Sequence, residues 1–252
     1  MLPKISDPVL LFDIPLYLWT MEETLEQIAR RIDAGIFTQH SVVNVAKLVK
    51  MRTDPQLREA VISCDIINID GTGVVWGARF LGLPVPERVA GIDLFYALLG
   101  MAQGRGDGVF LLGAKESVVN KAVENIRLAY PKLHICGWHH GYFWDHEEAI
   151  VDKIQASGAK LLFVAITSPK KEIFIQRWQQ RLQVPFVMGV GGTFDVVAGF
   201  TKRAPLWMQQ AGLEWFYRLI QEPRRMWRRY LYTNMVFAWL LLREKWRGKF
   251  DL

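Results

Sequence analysis

Residues 61–93 read VISCDIINIDGTGVVWGARFLGLPVPERVAGID, and the fold turns on how this stretch is parsed. Val61 to Ile69 is a short apolar run whose β-branched content suits a strand buried on both faces. The run stops at Asp70-Gly71, and Val74, Val75, Ala78 and Leu81 then return at helical spacing. A strand feeding an Asp-Gly turn and a helix puts Asp70 at a strand's carboxyl end. Open α/β sheets bind their ligands in that crevice. Taken alone, Asp70 reads equally well as a helix cap or a turn residue.

Upstream, Leu10 to Trp19 holds a short apolar segment expected to be an edge strand, because Pro15 has no N–H for a central ladder. Thr20 and Glu23 form a capping box opening a helix with Leu25, Ile28, Ala29 and Ile32 on its apolar face, closed by Gly35. Phe37 to Val49 reads as a strand, then a helix carrying Ala46 and Val49 towards Arg58. Downstream, strands at Val109–Leu112, Leu133–Cys136, Leu161–Ile166 and Phe186–Val190 alternate with helices. Those helices run to Tyr130, around Glu147–Gln155 and over Lys170–Leu182. Such alternation predicts an α/β fold, a Rossmann-like, mostly parallel sheet flanked by helices with right-handed crossovers.

The 252 residues are 51% apolar and 22% charged, which suits one large domain with an appendage. Cys64 and Cys136 lie in apolar runs; with no secretory leader they are expected as buried thiols in a reducing cytoplasm. No run reaches the roughly 18 to 20 apolar residues of a spanning helix. Charge is uneven. Residues 200–252 hold 11 Lys/Arg against 4 Asp/Glu and five of the ten tryptophans, whereas residues 1–199 are near neutral. We therefore expect a catalytic domain over 1–200 and a basic amphipathic helical appendage over 201–252.

Each predicted strand is followed by a polar or Gly-rich segment: Asp70-Gly71, Gly113-Ala114-Lys115, Gly137 to Tyr142, Thr167-Ser168-Pro169 and Gly189 to Thr193. Parallel topology gathers these on one sheet edge, where glycines admit close approach and helix N-termini favour a diphosphate. Neither G-x-G-x-x-G nor a P-loop fits, so a dehydrogenase or P-loop enzyme is unsupported. No two aspartates stand one residue apart, and adjacent His139 and His140 lack a completing ligand. The expectation is a metal-independent site without cofactor, in which amides, Lys and Arg meet the leaving charge.

Several segments together resemble a known family. They are DG-x-G-V-V-W-x-A-R from Asp70, P-x-P-E-R-V-A-G-x-D from Pro84, Gly141-Tyr142-Phe143, Ser168-Pro169-Lys170 and Gly189 to Asp195. Lys202 to Pro205, Gly212 to Trp215 and Glu222 to Arg225 follow in order. The chain resembles the WecG/TagA/CpsF-type glycosyltransferases, family 26 of the sugar-transfer enzymes, over roughly residues 40–230. The resemblance implies inverting transfer of a sugar from a UDP-sugar to a polyprenyl (undecaprenyl)-diphosphate-linked glycan, on the cytoplasmic face of the membrane, in surface-polymer synthesis. It implies Asp70 as general base, which at an ordinary pKa of about 3.9 needs burial or alignment to act. Arg88 matches a functional arginine that can neutralise diphosphate; a salt bridge to Glu87 or Asp93 is the alternative. Asn44 matches an asparagine that helps hold the donor.

The chain departs from the family at two positions. Val42 stands where a threonine is expected, with Thr38 and Ser41 nearby, and Lys171 where a glutamine often follows Ser-Pro-Lys. Lys171 can face the diphosphate or a carboxylated sugar, or be a solvated first-turn residue. Asp195 can bind ribose or uracil or cap its helix, and Tyr142 can stack on a base or pack. With Gly113, Ser168, Gly191 and Gly192 these complete the expected donor site.

In the tail, Leu206, Trp207, Leu213, Phe216, Leu219 and Ile220 have helical spacing, as do Trp227, Leu231 and Met235. Arg218, Arg225 and Arg228 match by spacing family arginines that reach over the active site. Arg224, Arg229, Arg243, Lys245, Arg247 and Lys249, mixed with Trp and Leu, describe an interfacial helix on anionic lipid. Each cation adds on the order of 1 kcal/mol there. A solvated face or a homo-oligomer contact is the alternative; no nucleic-acid signature accompanies the charge. Two other classes compete: a non-catalytic membrane-peripheral protein binding nucleotide-sugar or lipid diphosphate, and a nucleotide-sugar epimerase or dehydrogenase, which would bind nicotinamide.

Overall fold

The computed structural model describes residues 7–248. The first apolar segment is a hairpin, not one strand: β1 (Val9–Leu11) pairs antiparallel with β2 (Ile14–Leu16), with Phe12 and Asp13 at positive φ in the turn. Pro15 is tolerated because this ribbon has only two strands. The capping box is present. Thr20 Oγ1 accepts from Glu23 N at 3.1 Å and Glu23 Oε2 accepts from Thr20 N at 2.8 Å, opening α1 (Met21–Asp33).

Next come β3 (Thr38–Val43), α2 (Val45–Lys50), α3 (Pro55–Ile62) and β4 (Ile66–Ile69). Val61 and Ile62 therefore close a helix instead of opening the strand. Asp54 accepts from Leu57 N at 3.0 Å with Pro55 in the first turn, and Leu57, Ala60 and Val61 bury one helical face. The strand that carries Asp70 has only four residues.

Asp70 leads into α4 (Thr72–Phe80), and α5 (Gly91–Arg105) follows. Then come β5 (Val109–Gly113), α6 (Glu116–Ala129), β6 (Ile135–His139), a 3-10 turn at Trp144–His146, and α7 (Glu147–Ala156). The rest is β7 (Leu161–Ala165), α8 (Lys170–Leu182), β8 (Phe186–Gly189), α9 (Thr193–Val197), α10 (Leu206–Gln210), α11 (Glu214–Gln221) and α12 (Pro223–Trp246). The pattern of the sequence did not disclose α5. It is apolar nearly all round, with Leu94, Phe95, Leu98, Leu99 and Ala102 fully buried, so no 3.6-residue stripe stands out.

The main sheet has the order β4-β3-β8-β7-β5-β6, with every neighbouring pair parallel. Side chains alternate with the pleat. Val109, Leu111, Phe163 and Met188 join the core under α1, α5 and α6, while Phe110, Leu112, Leu162 and Val164 pack against α7 and α8. A third cluster joins α2, α3, α4 and the hairpin, and Phe237 of α12 is part of it. The appendage thus packs onto α2 and α4. Gly77 permits this: a Cβ there would lie 2.8 Å from the Phe237 ring. No helix of the described residues is long and apolar enough to cross a membrane. Cys64 is a buried free thiol; Cys136, expected buried too, is only half-buried because β6 is an edge strand.

Candidate active site

β3 and β4 lie side by side with Val43 opposite Ile69, so Asn44 and Asp70 emerge together at the carboxyl edge of the sheet. Asp70 N donates to Val43 O at 2.9 Å, and Asn44 Oδ1 caps α2 by accepting from Lys47 N at 3.0 Å. The chain returns to this corner after α4. Val89 N donates to Ile69 O at 2.9 Å, and Gly91 N donates to Asp70 Oδ1 at 3.2 Å. Because Gly91 begins the 15-residue α5, the Asp70 carboxylate sits at a helix N-terminus. Burial pushes this carboxyl above its ordinary value, while Arg88, the Gly91 N–H and Arg218 pull it partly back and Glu214 pushes it up again. A base of raised affinity for protons is the outcome.

Arg88 pairs with neither neighbour the sequence suggested. Glu87 accepts from Met21 N, and Asp93 is held by Arg203 at 2.5 and 2.8 Å. Arg88 instead pairs with Glu214, whose other oxygen takes Arg203 Nε at 3.1 Å. Asp93, Arg203, Glu214 and Arg88 thus form one ionic chain from α5 to the site, tying the start of α11 to the corner beside Asp70.

Between this corner and the appendage lies a cavity of about 540 Å³ whose wall includes Asn44, Asp70, Arg88 and Arg218. Arg218 has no ion-pair partner among the described residues. Arg228 does not line the cavity; its guanidinium lies over Trp227 at 5.4 Å. Arg229 lines it in its place, because consecutive helical residues point about 100° apart. The side chain of Arg225 lies outside the described residues. Tyr230, Thr233 and Asn234, within the next turn and a half of α12, also face the cavity and carry no motif that singles them out. The recurrence of 226, 230, 233 and 237 along α12 was the available signal.

The remaining sequence-predicted donor residues share the sheet edge but not the cavity. Gly113 has φ +124° and a Cβ there would meet Ala165 O at 2.5 Å, so strand packing itself requires glycine. Tyr142 is 67% exposed at the far strand. Gly191 borders open space, Gly192 caps α9, and Asp195 lies inside the first turn of α9, not at its cap. Val42 packs toward Gly91, and neither Thr38 nor Ser41 reaches the cavity: Thr38 Oγ1 accepts from Arg31 at 2.6 Å and Ser41 Oγ from Lys47 Nζ at 2.8 Å.

Lys171 is neither a solvated first-turn residue nor a cavity cation. It is 7% exposed, bonded to Ser168 Oγ and 2.9 Å from Glu172 Oε1. Lys47 Nζ reaches the same oxygen at 3.0 Å, and Ser168 Oγ donates to it at 2.8 Å. Burial works against the Glu172 charge, yet Lys47 and Lys171 outweigh it and hold the group down at about 2. Burial pushes Lys171 below its ordinary value, Lys47 adds to that, and Glu172 opposes it. Among the described residues, no three His, Cys, Asp or Glu side chains converge as metal ligands do.

The profile of the Glycosyl transferase WecG/TagA/CpsF family matches residues 9–251, from the hairpin through the appendage. The chain belongs to this family. It is 38% identical over 196 residues to the N-acetylglucosaminyldiphosphoundecaprenol N-acetyl-beta-D-mannosaminyltransferase of Bacillus spizizenii, spanning 78% of this chain and 76% of that one. It is 36% identical over 214 residues to the protein of the same name from Bacillus subtilis, spanning 85% and 83%. As a WecG/TagA/CpsF member the chain is a glycosyltransferase.

Proposed function

We propose that this glycosyltransferase moves a sugar from a UDP-sugar to a hydroxyl of a polyprenyl-diphosphate-linked glycan, with inversion and without a metal ion. One observation carries the reading. A carboxylate of raised proton affinity, held at a helix N-terminus, faces a cavity that also presents Arg88, Arg218 and Arg229. The names of the two relatives support the acceptor class, since both describe transfer to a sugar on diphosphoundecaprenol.

In the proposed reaction, Asp70 takes the proton of the acceptor hydroxyl as its oxygen bonds to the anomeric carbon. The bond from that carbon to the UDP oxygen breaks on the opposite face, which inverts the centre, and UDP leaves with the electron pair. Arg88, Arg218 and Arg229 meet the charge on the diphosphates. Asn44 orients the donor. The loop with Gly191 and Gly192, and Asp195 in the first turn of α9, follow β8, next to β3, and the Ser168 turn follows β7, so a nucleotide lying along the edge meets them in turn. Gly113 and Tyr142 lie beyond that reach: Tyr142 follows β6, five strand spacings or roughly 24 Å from β4.

The appendage would complete this site and also rest on anionic lipid, through Arg224, Arg243 and Arg247 interleaved with exposed Trp227, Trp239 and Trp246. The test is UDP release from a panel of UDP-sugars in EDTA, with and without a polyprenyl-diphosphate-linked acceptor, together with the anomeric configuration of the product. Acceptor-dependent release that survives EDTA and inverts the sugar supports the proposal. Binding of UDP with no release under any donor points to a binding module, and release abolished by EDTA overturns the metal-free mechanism.

A further inference from the structure

The two helices that wall the cavity change character along their length. On α4, Thr72 and Gly73 give way to Trp76 and Phe80; on α12, Arg229, Thr233 and Asn234 give way to Phe237, Ala238 and Leu241. The apolar stretches meet each other. A Cβ on Gly77 would lie 2.8 Å from the Phe237 ring and 2.9 Å from Leu241, so Gly77 lets α12 form the floor of a groove against α4. Trp76 and Phe80, at the lip, remain 59% and 50% exposed. Two large apolar side chains left this open on a cavity wall are a poor use of a monomer surface unless something covers them.

The groove is continuous with the charged corner, and this continuity decides its occupant. Trp76 is about one helical turn beyond Thr72, the first residue of α4, and lines the same cavity as Arg88, Arg218 and Arg229, so the apolar contact belongs to the arginines' cavity rather than to a separate patch. A ligand that fits both ends carries a diphosphate joined directly to an apolar chain. We propose that the α4–α12 groove is a binding subsite for the first isoprenoid units of the acceptor, with Trp76 and Phe80 at its lip and Phe237 and Leu241 in its floor. The identity of the chain rests on the sugar-transfer reading given above; the preference for a prenyl group on a diphosphate does not.

On this view the protein selects its acceptor by gripping the lipid where it leaves the diphosphate, in addition to resting on the bilayer. Calorimetric titration of the full chain with farnesyl diphosphate and with inorganic diphosphate, below the micelle concentration and without lipid, tests this. Farnesyl diphosphate is expected to bind at least tenfold more tightly, and Trp76→Ala and Phe80→Ala are each expected to erase most of that preference. Both residues are largely exposed, so these variants should retain the fold, which circular dichroism checks. Equal affinity for the two probes in the wild type overturns the subsite. A preference that survives both substitutions places the chain elsewhere, for example on Trp239 and Trp246, and overturns it too. Neither probe turns over, so a failure here is separable from a failure of UDP release.

Discussion

Around Asp70 and around Glu172 the same sheet edge carries two clusters of similar composition, each with a carboxylate among cations. In the second, Oε1 of Glu172 takes Lys47, Lys171 and Ser168, and the carboxylate is 1% exposed. In the first, Asp70 has one backbone N–H, and Arg88, the cation that most offsets its burial, is engaged by Glu214 from the appendage. The outcomes diverge. The lysines hold Glu172 at about 2, while burial pushes Asp70 up. A carboxylate whose charge two lysines offset is held ionised and is a weak base; one that is enclosed but only partly compensated, on a cavity wall, can take a proton. The charges of an edge loop do not by themselves mark a site; incomplete charge compensation on a cavity wall does.

The sharpest way to break this contrast is Asp70→Asn. Sugar transfer should fall by about 10²- to 10⁴-fold, the range of a general base, with UDP affinity within a few-fold of wild type by calorimetry. On the closed side, Glu172→Leu leaves Lys47 and Lys171 facing each other in the interior, and urea unfolding should show a loss of about 3–5 kcal/mol. Should transfer collapse in this variant with stability intact, the two clusters would have to exchange roles.

His40, on β3 beside the closed cluster, extends the contrast to pH. Burial lowers it from 6.5 to about 4, so it stays neutral in the folded state, with Nε2 3.0 Å from Asn68 Oδ1. The unfolded chain takes up this proton first. The contribution is therefore complete above pH 6.5 and lost as pH falls toward 4, by about 3 kcal/mol over the window. Unfolding at pH 7 and at pH 4.5 should show most of that loss in the wild type and a flatter response in His40→Leu. The Glu172 contribution is lost lower, below 4.5 and toward 2, and does not obscure it.

The smallest effects discriminate within α11 and α12. Arg218→Ala and Arg229→Ala should each slow transfer about tenfold, as for one charge-assisted contact, whereas Arg228→Ala should change it less than twofold.

Much of this contrast was legible in the chain, and the failures have physical causes. The alternating strands, the helix over Lys170–Leu182, the capping box at Thr20 and the shared edge follow from local periodicity and turn chemistry, which is where sequence speaks most directly. Asp70, Asn44, Arg88 and Arg218, far apart in the chain, line one cavity. What went astray depends on tertiary facts. Val61 sits in a helix because burial overrode its β-branched preference, and α5 hid behind uniform hydrophobicity. Arg228 and Arg229 differ by one residue, a distinction set only by how α12 is rotated on α2 and α4. Lys171 is adjacent in sequence to its partner Glu172, yet only the fold brings Lys47 to the same oxygen and seals the group.

The central claim is that Asp70 is the base, and the pH dependence of single-turnover sugar transfer tests it most directly. The wild type should show a one-proton acidic limb, rate falling as pH drops, with its midpoint above the 3.8 of an ordinary aspartate because burial raises it. Asp70→Asn should leave a slow residual rate with no such limb. An acidic limb of the same midpoint and steepness in Asp70→Asn would mean that another group carries the proton, and the account would fail.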